Sequence, residues 1–176
     1  MTTDVLILPG YLNSDPDHWQ SLWEQSYPSC SRVMQRDWER PDCDEWVAEL
    51  EKRVAAAGPE TVLVAHSMGC LLVAHWSSRT RLKIKGALLV APPDPGGAQF
   101  PASAMGFGSL PAEAFGFPSI MVASSNDPYG ELSFAQHCAR DWGCQFINLG
   151  EAGHINTETG LGDWPYGISL LQQLMG

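Results

Sequence analysis

A short apolar run that ends in a tight turn lies near the middle of the sequence. Residues 61–69 are Thr-Val-Leu-Val-Ala-His-Ser-Met-Gly, and the stretch 70–78 that follows is predicted to be helical. A strand that passes directly into a helix, with small residues at Ala65 and Gly69 around Ser67, is typical of a nucleophile elbow. Ala65 departs from the usual glycine at the first small position. The pattern predicts that Ser67 Oγ projects from the end of a strand, at a helix N-terminus that favours developing negative charge.

Short apolar runs alternate with helical periodicity along the whole chain, which is typical of a parallel sheet with helices on its faces. Strands are predicted over residues 5–8, 32–35, 62–65, 87–90, 120–123 and 146–149, all short and apolar enough to be covered on both sides. We expect a three-layer α/β/α sandwich with a mostly or fully parallel sheet of about six strands. The 176 residues fit one domain, 1–176.

Three stretches show the apolar spacing of amphipathic helices. One covers 44–57, with Asp42 placed to cap its first turn. A second starts near Glu131, and a third occupies the C-terminus, where its apolar face contains Ile168, Leu171 and Leu174.

A serine hydroxyl needs a base and a group that holds the base before it can attack a carbonyl. In parallel α/β sheets, such groups follow the carboxyl ends of strands. Asp127 follows the predicted strand 120–123, and His154 lies in a glycine-containing loop after the predicted strand 146–149. The order Ser67, Asp127, His154 is that of α/β hydrolases, so we expect these three residues to form a catalytic triad.

The stabilisation of a negatively charged intermediate requires two backbone N–H groups near the nucleophile. Met68 is expected to supply one. The loop after the first strand supplies the other, from Tyr11 or Leu12, with Tyr11 preferred. Leu12, His18 and His66 are candidate residues of the substrate pocket, and the His66 side chain is expected to point away from the nucleophile.

The long segment 91–118 is rich in Gly, Pro, Ala and Phe, and a loop of this length is usually functional or mobile. It is the candidate cover for the site. Its large apolar residues are expected either to line an acyl pocket or to anchor the loop: Phe100, Met105, Phe107, Phe115 and Phe117.

Charge and cysteine content exclude several classes of function. The 20 acidic and 10 basic residues give a net charge of −10, which disfavours nucleic acid and anionic membranes as partners. Five cysteines without a Cys-x-x-Cys pair indicate reduced thiols rather than a disulfide framework or a zinc site. The N-terminus has no basic segment or long apolar run, so we expect a cytoplasmic protein. We also expect no metal and no organic cofactor, because a triad supplies the nucleophile and the proton transfer.

Five short motifs spread over the chain share a family resemblance: 9–11 (Pro-Gly-Tyr), 17–19 (Asp-His-Trp), 66–69 (His-Ser-Met-Gly), 126–128 (Asn-Asp-Pro) and 153–156 (Gly-His-Ile-Asn). At these motifs the chain resembles the compact serine hydrolases of the retinoblastoma-binding-protein-nine and YdeN type, a lidless branch of the α/β hydrolases. The resemblance implies the same triad and a sheet shorter than the full α/β-hydrolase sheet, but it supplies no substrate.

The expected activity is that of a carboxylesterase acting on a small-molecule acyl ester through an acyl-enzyme intermediate. Two alternatives remain open. One is a non-catalytic protein-binding module that retains the fold. The other is acyl transfer, or thioester or peptide-bond cleavage, by the same triad. Dehalogenase chemistry is disfavoured because it requires a carboxylate at the elbow.

Overall fold

The structure is a computed structural model that describes residues 3–176. Within them, six strands form one sheet: β1 (Val5–Leu8), β2 (Cys30–Arg32), β3 (Val62–His66), β4 (Gly86–Val90), β5 (Ser119–Ala123) and β6 (Gln145–Asn148). The strand order is β2-β1-β3-β4-β5-β6, and every neighbouring pair is parallel. The predicted parallel α/β architecture is therefore confirmed.

Five α-helices connect or follow these strands: α1 (Trp19–Ser26), α2 (Cys43–Ala57), α3 (Met68–Ser77), α4 (Leu132–Trp142) and α5 (Pro165–Met175). A 3-10 turn, Thr157–Thr159, precedes α5. None of the helices described for residues 3–176 combines the length and apolarity needed to cross a bilayer.

Successive side chains of each strand point to opposite faces of the sheet, and each face carries its own apolar cluster. Leu6 and Leu8 of β1 belong to the cluster that packs under α2, α3 and α4. Val5 and Ile7 belong to the cluster that packs under α1 and α5. Helices therefore cover both faces of the sheet, which makes the three predicted layers.

Helix α2 shows how the local sequence determines an element. The Asp42 carboxylate accepts a hydrogen bond from Glu45 N–H and so caps the first turn, as predicted. Gly58 ends the helix with a φ of 91°, a value that residues with a side chain rarely adopt. The residues on its inner face are buried: Trp46, Leu50 and Val54. The predicted helix over 44–57 is confirmed to within one residue.

The two edge strands differ from the prediction. Strand β2 ends at Arg32 instead of spanning 32–35, although Val33 N–H still donates to Ile7 O. Val33 is buried because it packs in the cluster under α2, so its apolar character reflects burial rather than strand pairing. Strand β6 is only partly covered, which corrects the expectation that all strands are enclosed on both sides. An edge strand has only one neighbouring strand, so its apolar sequence pattern is weaker than that of a central strand.

The turn between β3 and α3 packs tightly against the end of β1. A Cβ atom added to Gly69 would overlap the carbonyl oxygen of Leu8, which belongs to the backbone and cannot rotate away. Glycine at this position is therefore required by the close approach of two backbones, so the turn cannot be built with alanine here unless the sheet or the helix shifts.

We predict that Gly69→Ala lowers the free energy of unfolding by about 2 kcal/mol, because overpacking at a backbone contact outweighs the better helix propensity of alanine. Urea denaturation measures this change. The matched control is Gly108→Ala, where an added Cβ meets nothing within 4 Å. The control should stay within about 0.5 kcal/mol of wild type. Equal losses in the two variants would contradict the argument.

Candidate active site

Ser67 occupies the strained turn between β3 and α3. Its backbone has φ 56° and ψ −124°, a conformation that residues other than glycine rarely adopt, and Ser67 N–H donates to Val90 O at 2.9 Å. Such strained positions concentrate at functional sites. Because α3 begins directly after it, the Ser67 side chain lies at a helix N-terminus.

The structure brings Ser67, Asp127 and His154 together although they follow three different strands. His154 Nε2 lies 2.8 Å from Ser67 Oγ, and His154 Nδ1 lies 3.0 Å from each Asp127 carboxylate oxygen. The Asp127 side chain is 2% exposed and that of His154 is 12% exposed. A carboxylate that accepts the Nδ1 proton leaves Nε2 free to accept the proton of Ser67.

Asp127 is held by the chain that follows it. Tyr129 N–H donates to Asp127 Oδ1 at 3.0 Å, so the turn at Pro128 orients the carboxylate. The Tyr129 ring packs against the His154 ring, with 4.4 Å between the two ring centroids. The imidazole therefore packs against a tyrosine as well as bonding to the carboxylate.

Tyr11 and Met68, two residues that line one cavity together with Ser67, have backbone N–H groups without an acceptor in the described part of the chain. Met68 N–H starts α3, where no intrahelical acceptor exists. Leu12 N–H already donates to Trp38 O at 3.0 Å, whereas Tyr11 N–H makes no hydrogen bond within residues 3–176. The geometry therefore favours Tyr11 over Leu12 as the second donor.

Gly10 lets this loop approach the turn. A Cβ at Gly10 would lie 2.9 Å from Met68 N, closer than real Cβ contacts, and 3.0 Å from Ser67 Cβ, which is also very tight. The backbone before Tyr11 therefore lies directly against the backbone of the elbow.

His66 links the elbow to the loop that carries His154. Its Nε2 lies 2.8 Å from the carbonyl oxygen of His154. Burial lowers the pKa of His66 well below its ordinary value, so the ring is neutral and Nε2–H is the donor. The ring also forms part of the cavity wall. The sequence places His66 beside the nucleophile, but nothing in it signals a bond to a carbonyl 88 residues away.

His18 caps α1. Its Nδ1 accepts a hydrogen bond from Gln20 N–H at 3.1 Å, so the neutral ring carries its proton on Nε2, which has no partner in the described part of the chain. Burial lowers the pKa of His18 to about 4, with opposing charge effects from Asp15, which raises it, and Arg32, which lowers it. The next residue, Trp19, donates from Nε1 to Ile155 O at 2.9 Å and so anchors the segment after His154.

A cavity of about 380 Å³ opens above Ser67. All three predicted pocket residues line it: Leu12, His18 and His66. Of the five large residues in segment 91–118, only Phe100 lines the cavity. Phe107 packs on Trp46, and Phe115 stacks on Trp142, so this segment is mainly anchored on the α2, α3 and α4 face. Met105 is exposed.

The cysteines do not compete with Ser67 as nucleophiles. Burial raises the pKa of each thiol, to about 11 for Cys30, Cys43 and Cys144, to about 12 for Cys138, and well above the ordinary value for Cys70. Thiols with such values are protonated near neutral pH and are poor nucleophiles. In residues 3–176, no three His, Cys, Asp or Glu side chains converge as a ligand set for a metal ion.

We predict that His18 makes the protein less stable in mild acid. The folded pKa of about 4 lies below the ordinary 6.5, so the unfolded chain takes up this proton first. The contribution of neutral, buried His18 to the free energy of unfolding is fully present above pH 6.5, and it is lost as the pH drops towards 4. In His18→Asn, which keeps a capping acceptor, the loss of unfolding free energy between pH 7.5 and 5 should be smaller by about 2 kcal/mol. Urea denaturation at both pH values measures this, and equal losses would contradict it.

Known proteins match both the sequence and the fold of this chain. A model of the serine hydrolase family matches residues 5–173. A YdeN-like hydrolase from Pectobacterium atrosepticum is 33% identical, with 99% of this chain and 91% of that chain covered and a TM-score of 0.87. The ydeN gene product of B. subtilis is 20% identical, with 98% of each chain covered and a TM-score of 0.82.

More distant structures share the fold alone. The type II thioesterase BorB from the borrelidin biosynthetic cluster is 15% identical, with 100% of this chain and 94% of that chain covered and a TM-score of 0.71. No curated protein matches the sequence. The family match confirms the resemblance predicted from the motifs. The chain therefore belongs to the serine hydrolase family: it is a serine hydrolase with the α/β-hydrolase fold, and it is similar to the YdeN-like hydrolases.

Proposed function

We propose that this serine hydrolase is a carboxylesterase that acts on small acyl esters, with Ser67 as nucleophile, His154 as general base and Asp127 as the carboxylate that orients the base. The observation that carries the proposal is the position of one imidazole. His154 Nε2 lies 2.8 Å from Ser67 Oγ while Nδ1 lies 3.0 Å from the Asp127 carboxylate. This arrangement lets a neutral histidine remove the hydroxyl proton and share the resulting positive charge with a buried carboxylate.

The first half of the reaction forms an acyl-enzyme. Ser67 Oγ bonds to the ester carbonyl carbon as its proton moves to His154 Nε2. The carbonyl oxygen becomes an oxyanion, which Met68 N–H and Tyr11 N–H stabilise. The carbonyl re-forms, the bond to the alcohol oxygen breaks, and His154 Nε2–H protonates the departing alcohol.

The second half releases the acid. A water molecule loses a proton to His154 Nε2 and bonds to the acyl carbon. The same N–H groups stabilise the second oxyanion, and His154 returns the proton to Ser67 Oγ as the ester bond to the enzyme breaks. The products are a carboxylic acid and an alcohol, and Ser67 is regenerated.

The lining of the cavity supports an uncharged substrate. Apolar atoms come from Leu12, Met68 and Phe100. Asp15 is the one carboxylate of the described lining, which contains no Lys or Arg. The Asp15 carboxylate accepts from Thr157 O–H at 2.8 Å, which fixes its position at the rim. A volume of about 380 Å³ suits a small acyl group.

A fluorophosphonate probe tests the proposed nucleophile. It should label the wild-type protein, and Ser67→Ala should abolish labelling because no other described hydroxyl is bonded to His154. His154→Ala should slow labelling by at least about 10³-fold, since the hydroxyl loses its base. In-gel fluorescence against time measures both rates.

The control for this test is Ser169→Ala, whose exposed hydroxyl only donates to Tyr166 O in α5. It should label like wild type. If the wild-type protein is not labelled, or if Ser67→Ala is labelled equally, Ser67 is not the reactive nucleophile and the esterase proposal fails.

The charge of the acyl group should affect turnover. We predict that mono-p-nitrophenyl adipate is hydrolysed with a kcat/KM about tenfold below that of p-nitrophenyl hexanoate, mainly through KM, because its carboxylate meets Asp15 and no cation. Added salt should narrow the difference by screening this repulsion. Asp15→Asn, which keeps an acceptor for Thr157, should narrow it as well. Equal kcat/KM values for the two esters in wild type would refute the prediction that Asp15 disfavours an anionic acyl group.

A further inference from the structure

We propose that Ser124 and Asn126 are positioning residues whose side chains fix the loop that carries His154. The inference rests on the proposed function, because it concerns how acid and base keep their spacing. Both side chains belong to the loop after β5, which also carries Asp127. They bind the backbone of the loop after β6, which carries His154. These bonds therefore connect the loop of the proposed acid (the acid loop) with the loop of the proposed base (the base loop).

The contacts are specific. Asn126 Oδ1 accepts a hydrogen bond from Gly153 N–H at 2.8 Å, and Ser124 Oγ accepts one from Ala152 N–H at 3.0 Å. Asn126 directly precedes Asp127, and Gly153 directly precedes His154. The residue before the acid is therefore bonded to the residue before the base.

The two side chains also bond to each other. Ser124 O–H donates to Asn126 Oδ1 at 2.9 Å, so one amide oxygen accepts both from this hydroxyl and from Gly153 N–H. Ser124 is buried, with 1% of its surface exposed. The hydroxyl donates to one partner and accepts from another, which orients both bonds. Loss of either side chain removes an acceptor from a backbone N–H of the base loop and weakens the remaining bond.

The sheet itself does not hold the base loop. Its last register pair between β5 and β6 is Ala123 with Asn148, six residues before His154. The intervening backbone is permissive, because Gly150 and Gly153 have φ values of 84° and 58°. A backbone with this freedom needs an external constraint to place an imidazole within hydrogen-bond reach of two partners.

Apart from the contact between His154 and Asp127 themselves, three bonds cross between the acid loop and the base loop. Besides the two side-chain bonds, Ser125 N–H donates to Gly150 O at 2.8 Å. This backbone bond persists in any side-chain variant, so the loops stay in contact when Ser124 or Asn126 is changed. The side-chain bonds then control the precise placement of His154 rather than the presence of the loop.

The test compares esterase kinetics of Ser124→Ala, Asn126→Ala and the double variant on p-nitrophenyl butyrate. We expect kcat to fall about tenfold in each single variant, with KM within about twofold of wild type, because alignment and not binding is lost. The double variant should lose little more than the worse single variant, since the two side chains act as one unit. Asn126→Asp keeps the acceptor oxygen at an exposed position and should restore most of kcat.

The matched control is Asn148→Ala. Asn148 Oδ1 also accepts from a backbone N–H of the base loop, Gly150 N–H at 2.9 Å, but it forms no bond to the acid loop. Its kcat should remain within about twofold of wild type. A loss equal to that of Asn126→Ala would show that any loosening of this loop is sufficient, and would overturn the specific role of the crossing bonds.

A second measurement separates this inference from the esterase proposal. The Nδ1 proton shared by His154 and Asp127 should give a low-field proton NMR resonance in wild type, and the resonance should broaden or disappear in Ser124→Ala and Asn126→Ala but not in Asn148→Ala. It reports the acid and base geometry whether or not an ester is hydrolysed. Unchanged resonance and unchanged kcat in both single variants would overturn the inference. Absent labelling of wild type would instead overturn the proposed function.

Discussion

The site depends on the place where the turn after β3 meets the end of β1. Gly69 allows the start of α3 to lie against Leu8 O, and Gly10 allows the loop after β1 to lie against Met68 N. These contacts between backbones leave no room for a Cβ atom. They flank Ser67, whose backbone conformation is strained. The remaining groups of the site are then placed around this fixed turn.

Local sequence predicts most of the fold and the candidate triad. The buried strands have short apolar runs, and a parallel sheet places the segments that follow β3, β5 and β6 at one edge. Features that depend on distant contacts are not predictable in this way. The bond from Leu12 N–H to Trp38 O, which leaves Tyr11 as the proposed donor, is one such feature, and the bond from His66 to the carbonyl of His154 is another. The predicted bounds of β2 differ from the observed ones because Val33, although bonded to Ile7 O, lies beyond the last register pair at Arg32 and is apolar because it packs in the cluster under α2.

The three histidines around Ser67 differ in their surroundings. His66 and His18 are buried and stay neutral near neutral pH, since burial lowers both pKa values. His154 is the ring that faces a carboxylate, at 3.0 Å from Asp127. A proton that arrives on His154 therefore meets one negative partner and two uncharged rings, rather than two further positive charges. The neutral rings serve as a cap for α1 and as a donor to the His154 carbonyl.

The exposed edge position of β6 has a consequence for how this protein loses its site. Ser67 follows a strand with a neighbour on each side, whereas His154 follows a strand with one neighbour and incomplete cover. Local opening begins where burial and pairing are least. Under mild denaturing stress the histidine should leave before the serine does, so that inactivation precedes the melting of the sheet. Activity and secondary structure would then disappear at different denaturant concentrations, and removing the denaturant would need to restore only one edge of the molecule.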